Sequence, residues 1–201
     1  MLIVISSPVQ IEEEAQYING LFDAGLPLFH LRKPDYDEAG VEALLKKINQ
    51  EHYPKIALHQ QHQLANEFGI KRLHFTERLR KETDVALLDQ YVNEGFILST
   101  SIHEPEAYCS LGNPFSYCFI GPVFNSISKK NYPAKSELRL PRKSNTHLNL
   151  QTDLIALGGI DKHKVLEIKK LDFDGLAVLG AIWSNPVQSR IKFKEIQDLW
   201  I

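Results

Sequence analysis

The chain has 201 residues, 43% of them hydrophobic, enough to bury a full core at a length where one domain spanning 1–201 is the expectation. Twenty-three basic against twenty-five acidic side chains, with a pI near 6.4, leave no net field to draw in nucleic acid or an anionic membrane, so the expected partner is a small molecule. The start, MLIVISSPVQ, lacks the charged lead and long apolar stretch of a signal peptide, no apolar run approaches the roughly 20 residues of a membrane span, and Cys109 and Cys118 read as small core residues in a reducing cytoplasm.

Along the chain, LIVIS is the first of several short apolar runs, followed by EEEAQYINGLFDAG with helical periodicity. LFHLRK comes next, and then DEAGVEALLKKINQ, which puts Val41, Leu44, Leu45 and Ile48 on one stripe of a helix. KIALHQ and RLHFT are again apolar and short, and Lys81 to Asn93 carries a modest helical pattern. GFILSTSIH and YCFIGPVF follow, then a polar stretch from 131 to 152 with two prolines, and finally DLIALGGI and DGLAVLGAI. These runs are too short for helices and too continuously apolar for half-exposed strands, so they read as strands buried on both faces. Strand then helix, repeated eight times, predicts a (β/α)8 TIM barrel, with a doubly wound open sheet as the alternative. The sixth helix is expected to be short or replaced by loop.

In either architecture, ligand chemistry gathers at the carboxyl ends of the strands. Those ends carry His30, Arg32 and Lys33, then His59 and Gln60, His74 and Thr76, and Ser99, Ser101 and His103. The sixth run spills into NSISKK, which supplies Ser126, Ser128, Lys129 and Lys130. Arg32 and Lys129 facing one mouth would be two fixed positive charges, suited to a phosphate or pyrophosphate. Gly158 and Gly159 end the seventh run and Gly180 the eighth, where backbone can approach a ligand closely and where such barrels frequently hold phosphate. The plainer readings are histidines bonded to backbone carbonyls, a Gly-Gly tight turn, and surface lysines at Lys33 and Lys130.

Taken together, FHLRKPD, STSIHEPEA, FIGPVFNSISK, LIALGGI and DGLAVLGAI, in this order over essentially the whole chain, resemble the thiamine phosphate synthase and thiazole tautomerase superfamily. The resemblance implies a compact barrel in bacterial thiamine biosynthesis that joins a pyrimidine methyl diphosphate to a thiazole phosphate. Pyrophosphate is lost through a carbocation-like state assisted by Mg2+. It implies that Arg32 holds pyrophosphate, that His30 stands where the synthase usually has Gln, and that Ser101 and His103 form the S-x-H pattern of the fifth strand. Ser126, Ser128 and Lys129 would grip the leaving diphosphate, and Gly158, Gly159, Gly180 and Ala181 would cradle the thiazole phosphate. The departures are specific. Where synthases place Asn-Asp and a further Asp for magnesium, this chain has His59-Gln60 and TERLR, leaving Glu77 as the one weak metal candidate. The second strand-2 lysine of the synthase is Pro34 here, with Lys33 one position off, and the tautomerase histidine is Pro122.

The first functional expectation is therefore a coupling enzyme of the thiamine phosphate synthase type, with Arg32 and Lys129 neutralising the departing diphosphate. The second is proton transfer on a thiazole phosphate by His103 or His30. The third is a non-catalytic binder of phosphorylated thiamine precursors. Zinc-dependent hydrolysis through His59, His74 and His103 ranks last, because their spacing matches no ligand motif. The sequence leaves the oligomeric state open, a homo-oligomer included.

Overall fold

Each apolar run becomes a strand, and the described helices between strands pack over the outside of the sheet. The structure, a computed structural model, describes residues 1–112, 114–125, 151–171 and 173–201. In chain order these form β1 (Leu2–Ile5), α1 (Glu14–Asp23), β2 (Leu28–Leu31), α2 (Glu38–Leu45), β3 (Ile56–Leu58), α3 (Leu64–Glu67), β4 (Arg72–Phe75), α4 (Glu77–Glu82) and α5 (Val85–Asn93). Then follow β5 (Ile97–Ile102), α6 (Glu106–Cys109), β6 (Phe115–Ile120), β7 (Asp153–Leu157), α7 (Val165–Ile168), β8 (Gly175–Val178), α8 (Gly180–Trp183) and α9 (Ser189–Trp200). All neighbours pair in parallel, and β8 pairs with β1 through Leu2↔Leu176 and Val4↔Val178. That last pairing closes the expected (β/α)8 barrel and removes the open-sheet alternative. The segment expected to hold a reduced sixth helix lies outside the described residues. No described helix is long and apolar enough to cross a membrane.

The strand period of two divides the apolar residues between two cores. Outward, Val4, Phe29, Leu31, Leu58, Leu73 and Phe75 join the helix faces in one large cluster. Inward, Ile3, Ile5, Leu28, Ala57, Ile155 and Ala177 form a second cluster with Tyr117 and Phe119. The predicted stripe of α2 is buried at Val41, Leu44, Leu45 and Ile48, and the helix starts where the Asp37 carboxylate accepts from the Gly40 amide at 2.9 Å. The modest pattern from Lys81 to Asn93 resolves into the end of α4 and a separate α5, capped by Thr76 and Asp84 respectively. α9 buries Phe193 and Ile196 and packs against α1, α7 and α8.

Three local devices set the barrel mouth. The Ser6 hydroxyl donates to the Arg32 carbonyl at 2.9 Å and accepts from the Arg32 amide at 2.7 Å, which fixes that residue's backbone at the end of β2. The next residue, Lys33, is fully buried: its ammonium forms an ion pair with Glu14 and donates to the Val9 carbonyl at 2.9 Å. Burial lowers the Lys33 pKa and raises that of Glu14, while their mutual attraction opposes both shifts.

The third device joins the loops after β6 and β7. Val123 donates to the Leu157 carbonyl at 2.9 Å and Phe124 to the Gly158 carbonyl at 3.1 Å. Gly159 sits at φ +66°, and a Cβ there would overlap Asn125 and come within 2.7 Å of the Phe124 carbonyl carbon. Gly159→Ala is thus expected to combine left-handed backbone strain with a backbone clash, costing about 3 kcal/mol or more, readable as a lowered urea midpoint. An unchanged midpoint would show that the two loops can separate freely.

Candidate functional site

A cavity of about 340 Å³ opens at the carboxyl ends of the strands. Arg32 enters it from β2, Ser101 and His103 from β5, Gly158 and Gly159 from the turn after β7, and Gly180 from the turn after β8. His59, His74 and Phe119 form part of its floor. The lumen has two unlike sides. The strands β2 to β6 present His30, His59, His74, Ser99, Ser101 and Tyr117, whereas β7, β8 and β1 present Ile155, Leu157, Ala177, Leu179, Ile3 and Ile5.

The polar side is tightly linked. His30 Nδ1 shares a hydrogen bond with His59 Nε2 at 2.8 Å, and His30 Nε2 shares another with the Tyr117 hydroxyl at 2.8 Å. His74 Nδ1 lies 3.0 Å from Ser99 Oγ and its Nε2 2.9 Å from Ser101 Oγ. The His59 and His74 rings stack with centroids 4.0 Å apart. Burial, reinforced by neighbouring positive charge, pushes His74 down to about 3. Burial likewise holds His30 and His59 well below the usual imidazole range, and it raises the Tyr117 phenol to about 12. All three rings are thus neutral at physiological pH.

At the rim, Glu77 at the start of α4 forms ion pairs with His103 and Lys81. The hydrogen bond from His103, then that from Lys81, lowers the Glu77 carboxyl to about 2.

The structure brings together Arg32, Ser101, His103, Gly158, Gly159 and Gly180 around one cavity. It sets others apart. His30 lies wholly buried beneath the floor. Lys33 is neither a ligand at the mouth nor a surface lysine: one residue beyond Arg32 reverses the face, and its charge is spent on Glu14. Ala181 turns away from the mouth with α8 and packs on the outer core. Ser126, Ser128 and Lys129 lie outside the described residues. Sequence reasoning missed Tyr117 and Phe119; the alternation in FSYCFI, with Tyr117 and Phe119 two apart, was the signal that both face the lumen. It also missed Glu14, for which no signal exists short of the fold.

A family model described as thiamine monophosphate synthase matches residues 1–182. The chain belongs to that family. Among solved structures, thiamine phosphate pyrophosphorylase from Bacteroides thetaiotaomicron is similar at 26% identity and TM-score 0.73, covering 98% of this chain and 96% of that one. Thiamine phosphate pyrophosphorylase from Pyrococcus furiosus, at 15% identity and TM-score 0.75 with 99% and 94% covered, shares the fold. So does 3-hexulose-6-phosphate synthase from Salmonella typhimurium, at 14% identity and TM-score 0.65 with 100% and 98% covered. No curated protein matches the chain.

The thiamine monophosphate synthase resemblance implies Mg2+, and the donor set tests that implication. Magnesium takes oxygen ligands in near-octahedral geometry, usually with one or two carboxylates. Beyond β3 and β4 the described residues offer His59, Gln60, His62, Thr76 and Glu77, and the single carboxylate among them is already engaged by the His103 ring and the Lys81 ammonium. These residues do not fit a magnesium site.

Proposed function

We propose that this member of the thiamine monophosphate synthase family couples a pyrimidine methyl diphosphate to a thiazole phosphate, with residues 1–201 acting as one domain. The observation that carries the reading is that Arg32 and the glycine turns at 158–159 and 180 line a single cavity. In the coupling, the thiazole nitrogen lone pair forms the new C–N bond to the pyrimidine methylene. The C–O bond to diphosphate breaks, and its electron pair leaves on the diphosphate oxygen. Arg32, whose fork matches a phosphate bidentately, stabilises that departing charge, a role in which the resemblance gives it Lys129 as companion. His103, held by Glu77, stands over the same opening. The apolar wall of Ile5, Leu157 and Leu179 excludes water from the carbocation-like centre.

A second reading, a binder of thiazole phosphate or thiamine phosphate that does not turn over, is favoured by one observation: the carboxylates expected at β3 and β4 are replaced by histidine and by a Glu77 already paired. One experiment separates the two. The purified protein is incubated with both phosphorylated precursors, with and without Mg2+, and thiamine phosphate and pyrophosphate are quantified. Product formation supports coupling. Thermal stabilisation by thiazole phosphate without product supports the binder, and the absence of both product and stabilisation rejects both.

A further inference from the structure

The phosphate reading leaves the most densely functionalised part of the lumen without a task. His30, His59 and His74 each offer one ring nitrogen, and the three nitrogens lie within 4.8 Å of one another. Zn–N bonds of roughly 2.0–2.1 Å set the nitrogens of a tetrahedral site roughly 3.3 Å apart, so small ring rotations separate this arrangement from a ligand triad. A second observation points the same way. His59 Nδ1 is buried and has no hydrogen-bond partner among the described residues, an arrangement that costs about 1–3 kcal/mol unless something fills it.

The donor chemistry is selective. Three imidazoles with no carboxylate suit a borderline transition metal and not magnesium or calcium. Supporting partners are already in place: His30 and His74 are each hydrogen-bonded at both ring nitrogens, so each keeps one such bond, the kind that orients a ligand histidine, when its other nitrogen turns to the ion. His59 and His74 line the cavity floor and His30 lies below them, so an ion between the three keeps its remaining position facing the mouth. We propose that His30, His59 and His74 form a binding site for one divalent cation of the zinc class at the floor of the cavity, with one coordination position open to the ligand above. Loading turns the orphan His59 Nδ1 and one ring nitrogen each of His30 and His74 toward the ion, His30 and His74 each giving up one present hydrogen bond, and it tilts the stacked His59 and His74 rings so that their edges converge. The site stands independently of which phosphorylated ligand occupies the mouth. It also replaces His103, which sits with Glu77 at the rim, by His30 as the third histidine of any zinc centre.

The test uses the full chain, stripped with a chelator and titrated with Co2+ at neutral pH. The expected result is one equivalent bound with the intense visible bands of four-coordinate cobalt, bleached by Zn2+ and unmoved by excess Mg2+. His59→Asn and His30→Gln should each weaken Co2+ binding by more than about 100-fold, beyond the 10- to 100-fold typical of outer-shell changes, while His163→Gln leaves it unchanged. Should a variant fail to fold, the wild-type protein still decides through nitrogen-15 NMR of its imidazoles: Zn2+ must shift the ring signals of His30, His59 and His74 together. Pale six-coordinate spectra, or variants that bind as the wild type does, would overturn the proposal and assign the metal to surface histidines.

Discussion

Arg32→Ala is expected to weaken binding of pyrophosphate by roughly 100-fold while leaving the fold intact. Two charge-assisted hydrogen bonds from a guanidinium fork to phosphate contribute about 1.5 kcal/mol or more each, and roughly 1.4 kcal/mol is tenfold in affinity. The fold should hold because the backbone of Arg32, not its side chain, is clamped by Ser6. Arg32→Lys should fall between the two, keeping the charge but losing the paired donors. Calorimetric titration checks the affinities and a denaturant curve checks the fold. Equal affinity in wild type and alanine variant would remove Arg32 from the phosphate site and with it the main support for coupling.

Glu14→Ala is expected to produce the largest loss of stability, about 3–5 kcal/mol, because it leaves the buried Lys33 ammonium without a counter-charge, with the Val9 carbonyl and the face of the Tyr36 ring as its remaining partners. With a urea m-value of about 2 kcal/mol/M, the midpoint drops by about 2 M. Replacing both members of the pair, as in Glu14→Leu with Lys33→Met, should restore most of the loss, since an apolar pair of similar volume is often as stable as a buried ion pair. A double variant no more stable than Glu14→Ala would place the effect in the packing of α1 instead of the ion pair.

The barrel was legible because strands buried on both faces leave continuous apolar runs such as LIVIS and DLIALGGI, within which β1 spans Leu2–Ile5 and β7 Asp153–Leu157. The mouth was legible for the same reason: Arg32 and the late glycines follow strand ends and Ser101 lies near the carboxyl end of β5, and a parallel barrel fixes the direction of those ends. What the sequence hid are partners distant along the chain. Lys33 finds Glu14 on the preceding helix, and His30 finds Tyr117 four strands away. Those pairings depend on barrel closure and on the narrowness of the lumen, which local patterning does not encode. At the Gly158-Gly159 pair the turn makes room for the chain after β6 and also lines the cavity, while its phosphate role stands as part of the proposed function. Lys129 and its serines lie outside the described residues, so their share in the site stands as the resemblance leaves it.

The divided lumen has a consequence for how a flat heterocycle enters. With imidazoles and hydroxyls along one wall and aliphatic side chains along the other, a ring bearing nitrogen on one edge and carbon on the opposite edge meets two different solvents at once. On the proposed coupling, the heteroatom edge would lie toward Ser101 and His103 and the hydrocarbon edge toward Ile5 and Leu157, so the lumen itself would set which way round the guest sits.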